Sequence, residues 1–317
     1  MWSVAARSST GRGRFSSAAE LVFASRSGAW QSAGVDAPYE ISEQLEPGIA
    51  RLLAHNPSAF TYYGTQTYLV GEGEAEVAVI DPGPADPVHV DAIVEAVGGR
   101  RLVAILCTHT HRDHSPAAAM LAERSAAQIV GCAPLALETV GPRADASFDG
   151  DYMPNRILGD GESIDIAGAA LTAVATPGHT SNHLCYAYGD ALFTGDHVMG
   201  WSTTVVVPPD GDMAAYIASL DKLRQRGDRI YFPAHGPPVT NPSQYVRHLI
   251  GHRMQRERQI LRLVSEKPRD IPEIVANAYP GLDPRLTAAA GGSVHAHLLD
   301  LQRRGLVAEE GGEWRSG

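Results

Sequence analysis

A chain of 317 residues is long for one domain core and leaves room for a large domain and a small one. With 44% hydrophobic and 20% charged residues it has the balance of a globular protein, and no apolar run approaches the roughly 20 residues a membrane helix needs. A net charge of −10 argues against an all-over nucleic-acid-binding surface, and three scattered cysteines (Cys107, Cys132, Cys185) argue against a disulfide framework and for a reducing compartment.

Residues 1–40 carry Arg7, Arg12 and Arg14, many serines and no acid before Glu20. That bias matches an organelle transit peptide and lacks the continuous apolar core of a secretory signal. The segment is read as an N-terminal extension. The expected compartment is the cytoplasm, or the mitochondrial matrix if the extension is a targeting sequence.

From residue 68 onward short apolar runs alternate with helical stretches. Residues 68–70 and 77–80 predict two strands flanking a turn rich in glycine and glutamate. Val90, Ile93, Val94 and Val97 recur at helical spacing and predict a helix over 87–97. Residues 102–106 form a buried strand that runs straight into Thr108 and His109, and a helix over 117–125 precedes a strand at 128–130. A strand over 171–175 ends at Thr176-Pro177-Gly178-His179. Residues 183–188 and 191–194 predict a hairpin turning at Gly189-Asp190. A helix over 216–226 leads to a last strand, 230–232, that ends at Pro233-Ala234-His235.

The C-terminal stretch has another character. Residues 243–265 predict a helix with Val246, Leu249, Ile250, Ile260, Leu261 and Val264 near one stripe. Arg247, Arg253, Arg256, Arg258 and Arg262 fall on the other face, which would favour an anionic partner. Asp270 and Pro272 open a second helix, a third over 293–304 stops at Gly305, and residues 306–314 fold as a hairpin around Gly311-Gly312. Helix, helix, helix, hairpin is a winged-helix order. The chain is therefore divided into residues 1–40, a catalytic domain over 41–242 and a small domain over 243–317.

The chemistry concentrates in Thr108-His109-Thr110-His111-Arg112-Asp113-His114, where four potential metal ligands fall within six residues directly after an apolar strand. Imidazole and carboxylate are ligands that zinc accepts, and manganese and iron accept them too. One histidine in such a loop is more often a solvated turn residue; four ligands together are not. His179, Asp196 and His235 each follow a further strand end, where site residues held by a rigid sheet collect. Seven ligands suffice for two divalent metal ions sharing one carboxylate and a water. His183, His197, His295 and His297 are read as structural, and Trp201 as either cleft or core.

The sequence resembles the metallo-β-lactamase superfamily, whose signature is H-x-H-x-D-H followed by separate His, Asp and His ligands. The resemblance implies an α/β fold, an αββα four-layer sandwich with the site at one edge, completed here by the C-terminal winged helix. It implies that His109, His111 and His179 bind one metal, that Asp113, His114 and His235 bind a second, and that Asp196 bridges them. Within the superfamily the chain is similar to the β-lactamase-like protein 2 group from Asn56 onward, through residues 64–70, the metal segments, residues 200–205 and the tail. Animal members of that group are described as acting on single-stranded RNA. Gln66, Pro116 and Ala234 depart from the group's usual asparagine, glycine and glycine.

The implied activity is hydrolysis. Two metals about 3.5–4 Å apart lower the pKa of a shared water for attack on a carbonyl carbon or a phosphorus. Asp113 would act as the catalytic residue that orients the nucleophile, and Asp81 would support a metal-binding imidazole. The expected substrate is single-stranded RNA or another phosphodiester, with a thioester or lactone as the alternative and a β-lactam less favoured. A mononuclear iron persulfide dioxygenase is the redox alternative. The expected partners are an anionic small molecule or single-stranded RNA, with no membrane, and the tail leaves dimerisation open.

Overall fold

The computed structural model describes residues 38–135 and 148–317. Most of the expected N-terminal extension therefore lies outside the described residues.

The first sheet holds seven strands in chain order: β1 (Glu43–Glu46), β2 (Ile49–Leu53), β3 (Gln66–Val70), β4 (Glu76–Ile80), β5 (Arg101–Cys107), β6 (Gln128–Gly131) and β7 (Arg156–Ile157). Pairing is antiparallel as far as β4 and parallel beyond it. Parallel neighbours need crossovers, and helices α1 (Pro87–Val97) and α2 (Ala117–Ser125) join β4 to β5 and β5 to β6. β3 is buried along its whole length and β4 along nearly all of it, so residues 68–70 and 77–80 read as apolar runs rather than alternating ones, while Gln66 and Thr67 are buried polar residues at the start of β3. β1 is a short, partly exposed edge strand with the sequence EQLE, whose single apolar residue left little signal to detect.

The second sheet runs β12-β11-β10-β9-β8, from β8 (Ser163–Ile166), β9 (Ala169–Ala175), β10 (Leu184–Tyr188), β11 (Ala191–Gly195) and β12 (Ile230–Pro233). Its one parallel pair, β11 and β12, is joined through helix α3 (Met213–Arg224). The two sheets meet through Tyr68, Ile80 and Leu106 on one side and Leu171, Tyr186, Phe193 and Phe232 on the other. Each fully buried aliphatic or Phe side chain there contributes about 1.5–3 kcal/mol. α1 and α2 add Val90, Ile93 and Leu121 to this core. Met213, Tyr216 and Leu220 of α3 cover the second sheet at Cys185, Leu192 and Tyr231. Helix, sheet, sheet, helix is the expected four-layer order.

A 25-residue helix, α4 (Pro242–Glu266), then starts at the side-chain cap of Asn241 with proline in its first turn. Val246 and Leu249 near its start pack with the second sheet. Ile260, Leu263 and Val264 near its end build a separate core with α5 (Ile271–Ala278), α6 (Thr287–Arg303), β13 (Val307–Glu310) and β14 (Glu313–Ser316). α4 therefore belongs to both cores.

Two expectations are corrected. α6 begins at Thr287, not 293, and carries the Gly291-Gly292 pair inside the helix. A Cβ on Gly292 would come within 2.7 Å of the Val207 side chain, so close packing selects glycine there. Arg253 and Arg256 are not on a solvated face of α4. Both are buried against the rings of Tyr216 and Tyr279.

Candidate metal centre

Each site segment leaves a strand end. Residues 108–114 follow β5, His179 follows β9, Asp196 follows β11 and His235 follows β12, while Asp81 closes β4. Two glycines allow the approach. Gly178 takes φ +138°, and a Cβ there would lie 2.3 Å from the Tyr216 Cα. Gly195 takes φ +48°, and a Cβ there would lie 2.6 Å from Thr108 Oγ1. The sheet edge can thus bring segments distant in sequence to one point.

All seven expected ligands converge, in two groups. The first comprises His109, His111, His179 and Asp196, and the second Asp113, His114 and His235, with the ligand atoms of each group within 4.8 Å of one another. His111 Nδ1 lies 3.0 Å from His109 Nε2 and 3.2 Å from His179 Nε2. Asp113 Oδ2 lies 3.2 Å from His235 Nε2 and 3.4 Å from His114 Nε2. Asp196 offers Oδ2 to the first group, 3.8 Å from His179 Nε2, and Oδ1 to the second, 3.3 Å from His235 Nε2. One carboxylate thus faces both groups.

Hydrogen bonds behind the rings fix which nitrogen faces inward. A carbonyl oxygen can only accept, so His179 carries its proton on Nδ1 for Val205 O at 2.6 Å, and His235 does the same for Gly64 O at 3.1 Å. Asp81 accepts at Oδ1 from the Thr108 N–H (2.7 Å) and at Oδ2 from the Thr108 hydroxyl (2.8 Å). Its Oδ2 also accepts from His114 Nδ1 at 3.0 Å. With its own proton given to Asp81, the Thr108 hydroxyl accepts from His109 Nδ1 at 3.0 Å. Burial, then the neighbouring imidazoles of His114 and His111, hold His109 well below the usual histidine range, so its Nε2 is a bare lone pair.

The result is a ring of acceptors facing one another. His114 Nε2 and Asp196 Oδ1 are buried with no hydrogen-bond partner, an arrangement that costs heavily unless a cation is shared between them. Burial alone would raise Asp113, but His114 and His235 outweigh it and hold the carboxyl well below its ordinary range. Burial alone would lower His114, but Asp113, Asp196 and Asp81 draw it well above. The site asks for positive charge. Imidazole nitrogens and carboxylate oxygens are the donor set of a divalent transition metal, and the residues fit two such ions.

The remaining histidines separate cleanly. His183 is committed at both nitrogens, at Nδ1 to the Thr176 hydroxyl (2.9 Å) and at Nε2 to the Asp196 N–H (3.3 Å). It supports the site without an inward lone pair. His197, His295 and His297 belong to neither group. Sequence reasoning missed two residues that brace the ligands. Gln66 donates from Nε2 to Pro233 O (3.0 Å) and Gly236 O (2.6 Å), on either side of His235. The Thr204 hydroxyl sits at Asp196 O (2.6 Å) and His197 O (3.0 Å). Trp201 is half-buried, stacks on Tyr62 at 5.0 Å between ring centroids and lies against Gly236.

This fold and site define a class. The chain belongs to the metallo-beta-lactamase superfamily, a hydrolase family that its residues 61–235 match. Residues 271–314 match the beta-lactamase associated winged helix domain. Among curated proteins it is 31% identical over 278 residues to a beta-lactamase-like protein 2 homolog of Drosophila melanogaster, covering 83% of this chain and 90% of that one. It is 34% identical over 230 residues to an atrochrysone carboxyl ACP thioesterase of Aspergillus chevalieri, covering 71% of this chain and 68% of the relative. Among solved structures, a beta-lactamase domain protein from Burkholderia ambifaria superposes with a TM-score of 0.72 at 20% identity, covering 90% of this chain and 96% of that one. A metallo-beta-lactamase family protein from Thermus thermophilus gives 0.71 at 22% identity, covering 86% and 100%. Among the described residues no helix is long and apolar enough to cross a membrane.

Proposed function

We propose that this protein is a dinuclear metal-dependent hydrolase whose substrate is an acyl thioester. One observation carries the dinuclear reading: Asp196 presents one carboxylate oxygen to each of two groups of inward-facing ligand atoms. His109, His111 and His179 would hold one ion and Asp113, His114 and His235 the other, with zinc the first choice and manganese or iron the alternatives. When bound, such a pair supplies an activated water and polarises the bond under attack.

The chain's own residues do the rest. Asp113 is the residue of the H-x-H-x-D-H run best placed to orient the attacking water and carry its proton, because His114 and His235 keep it ionised. Asp81 sets the His114 ring through its Nδ1 and, through Thr108, the His109 ring. Trp201, beside Gly236 and stacked on Tyr62, offers an aromatic surface next to the His235 segment, suited to the planar or apolar part of an acyl group. Tyr62 adopts φ +60°, a conformation that non-glycine residues seldom take, held where the 56–65 loop is closed by the Asn56 side chain on Thr65.

Thioester chemistry is favoured for two reasons. Several fungal relatives carry that activity in their names, while others are named lactamase-like proteins. Arg253 and Arg256, which the sequence placed on a face favouring an anionic partner, are buried and so are not offered to a polyanionic strand at the surface. Single-stranded RNA is the second reading, favoured by the match to the beta-lactamase-like protein 2 homologs over most of both chains. The test is a side-by-side assay of the metal-loaded protein on an N-acetylcysteamine thioester of an aromatic acid and on a labelled single-stranded oligoribonucleotide. Chelator-sensitive thioester cleavage, lost in His111→Ala, supports the reading. RNA cleavage with no thioester turnover overturns the substrate assignment and keeps the dinuclear centre.

A further inference from the structure

Two guanidinium groups lie buried where α4 meets α6, with no carboxylate beside them. Arg253 is 3% exposed and Arg256 7%. Three residues apart on one helix, they share a face. Arg253 donates to Thr204 O and lies over the Tyr216 ring. Arg256 donates to Ala278 O and Gln259 Oε1 and lies over the Tyr279 ring. Carbonyls and rings carry only partial negative charge. Glu257 and Asp300, the buried acids of these helices, are engaged by Arg304 at 2.8 and 3.4 Å. Among the described residues neither buried arginine has an ion pair.

The unused donors lie in the same junction. Arg253 Nε and Arg256 Nε are buried without a hydrogen-bond partner. So are both ring nitrogens of His297, which is fully buried on α6, and Nδ1 of half-buried His252 on α4. Burial first, then Arg253, Arg256 and His252, push His297 down to about 3, so its ring is neutral with one N–H to give. A guanidinium cannot shed its proton, so both full charges persist in a medium that screens poorly. Water would satisfy the N–H groups and leave the charge.

We infer that the α4–α6 junction is a binding site for a small inorganic anion of the halide class, held by Arg253, Arg256 and His297 with half-buried His252 on the way in. Its occupant would steady more than the tail. Arg253 holds Thr204 O, the Thr204 hydroxyl sits at Asp196 O, and the next carbonyl, Val205 O, accepts from His179. The anion would therefore brace the segment behind two of the candidate ligands. The site itself stands whether or not the thioester reading does.

The test uses the metal-loaded full-length protein in sodium bromide, with isethionate as the bulky replacement anion at constant ionic strength. Bromide soaked into crystals is expected to give an anomalous peak within hydrogen-bond distance of Arg253 Nε or Arg256 Nε. In solution, bromide several-fold above its Kd is expected to raise Tm by roughly 2–4 °C, and Arg256→Met is expected to abolish that rise. His297→Phe serves in the melt if Arg256→Met does not fold. No anomalous peak at the junction, or a bromide response unchanged in the variant that folds, would overturn the site.

Discussion

Among the described residues, two regions bury charge and leave opposite deficits. At the strand ends, carboxylates and imidazole lone pairs face inward and call for cations. At the α4–α6 junction, two guanidinium groups and idle N–H donors call for an anion. The histidines show what distinguishes a ligand from a packed ring. His109, His114, His179 and His235 each commit one nitrogen to an outer partner and aim the other at the cluster. His183 commits both, while His197 and His297 commit neither. Burial is common to all of them. The outer hydrogen bond makes the difference, because it fixes the tautomer and so the direction of the lone pair.

That contrast can be broken experimentally, and the largest effect belongs to the cluster. His111→Ala removes a ligand and is expected to cost activity and metal by more than the roughly 10–100-fold typical of outer-partner changes. Steady-state kinetics with elemental analysis of the purified variant would check it. Asp81→Ala leaves all seven proposed ligands in place but frees the His114 and His109 rings. A loss of roughly 10–100-fold in metal affinity or activity is expected, measured by competition with a chromophoric chelator. A loss below threefold would mean that the outer bond does not matter.

The C-terminal core should respond in stability while metal content is unchanged. Leu298→Ala removes a fully buried side chain of α6 and is expected to cost about 2–5 kcal/mol in urea unfolding, with the metal retained. Loss of metal in that variant would show that the two regions are more tightly coupled than their separate cores imply. The smallest expected effect is at Gly178, where an added methyl must displace the Tyr216 backbone. Gly178→Ala is expected to destabilise by about 1–3 kcal/mol and to reduce metal binding modestly by shifting His179.

The sequence was informative where chemistry is local. The four candidate ligands within 108–114 pointed to the first half of the site, and strand ends pointed to His179, Asp196, His235 and Asp81, all of which the structure brings together. It was silent where a role depends on a distant partner. Gln66 matters because its amide reaches carbonyls more than 160 residues away, and Arg253 because it reaches Thr204 across 49 positions. Helical spacing placed both buried arginines on a polar face, since it counts hydrophobic residues and cannot see an aromatic ring waiting for a cation. The edge strands β1 and β7 were missed for a simpler reason: β1 carries little apolar signal and β7 is two residues long.

The central claim is that the two groups of inward-facing ligands hold two metal ions. Elemental analysis of protein purified without added metal, beside Asp196→Ala, tests it most directly. The account predicts close to two equivalents of a divalent transition metal, with both sites weakened together when the shared carboxylate is removed. One equivalent in both proteins would contradict the shared carboxylate, and none after reconstitution would contradict the metal centre itself.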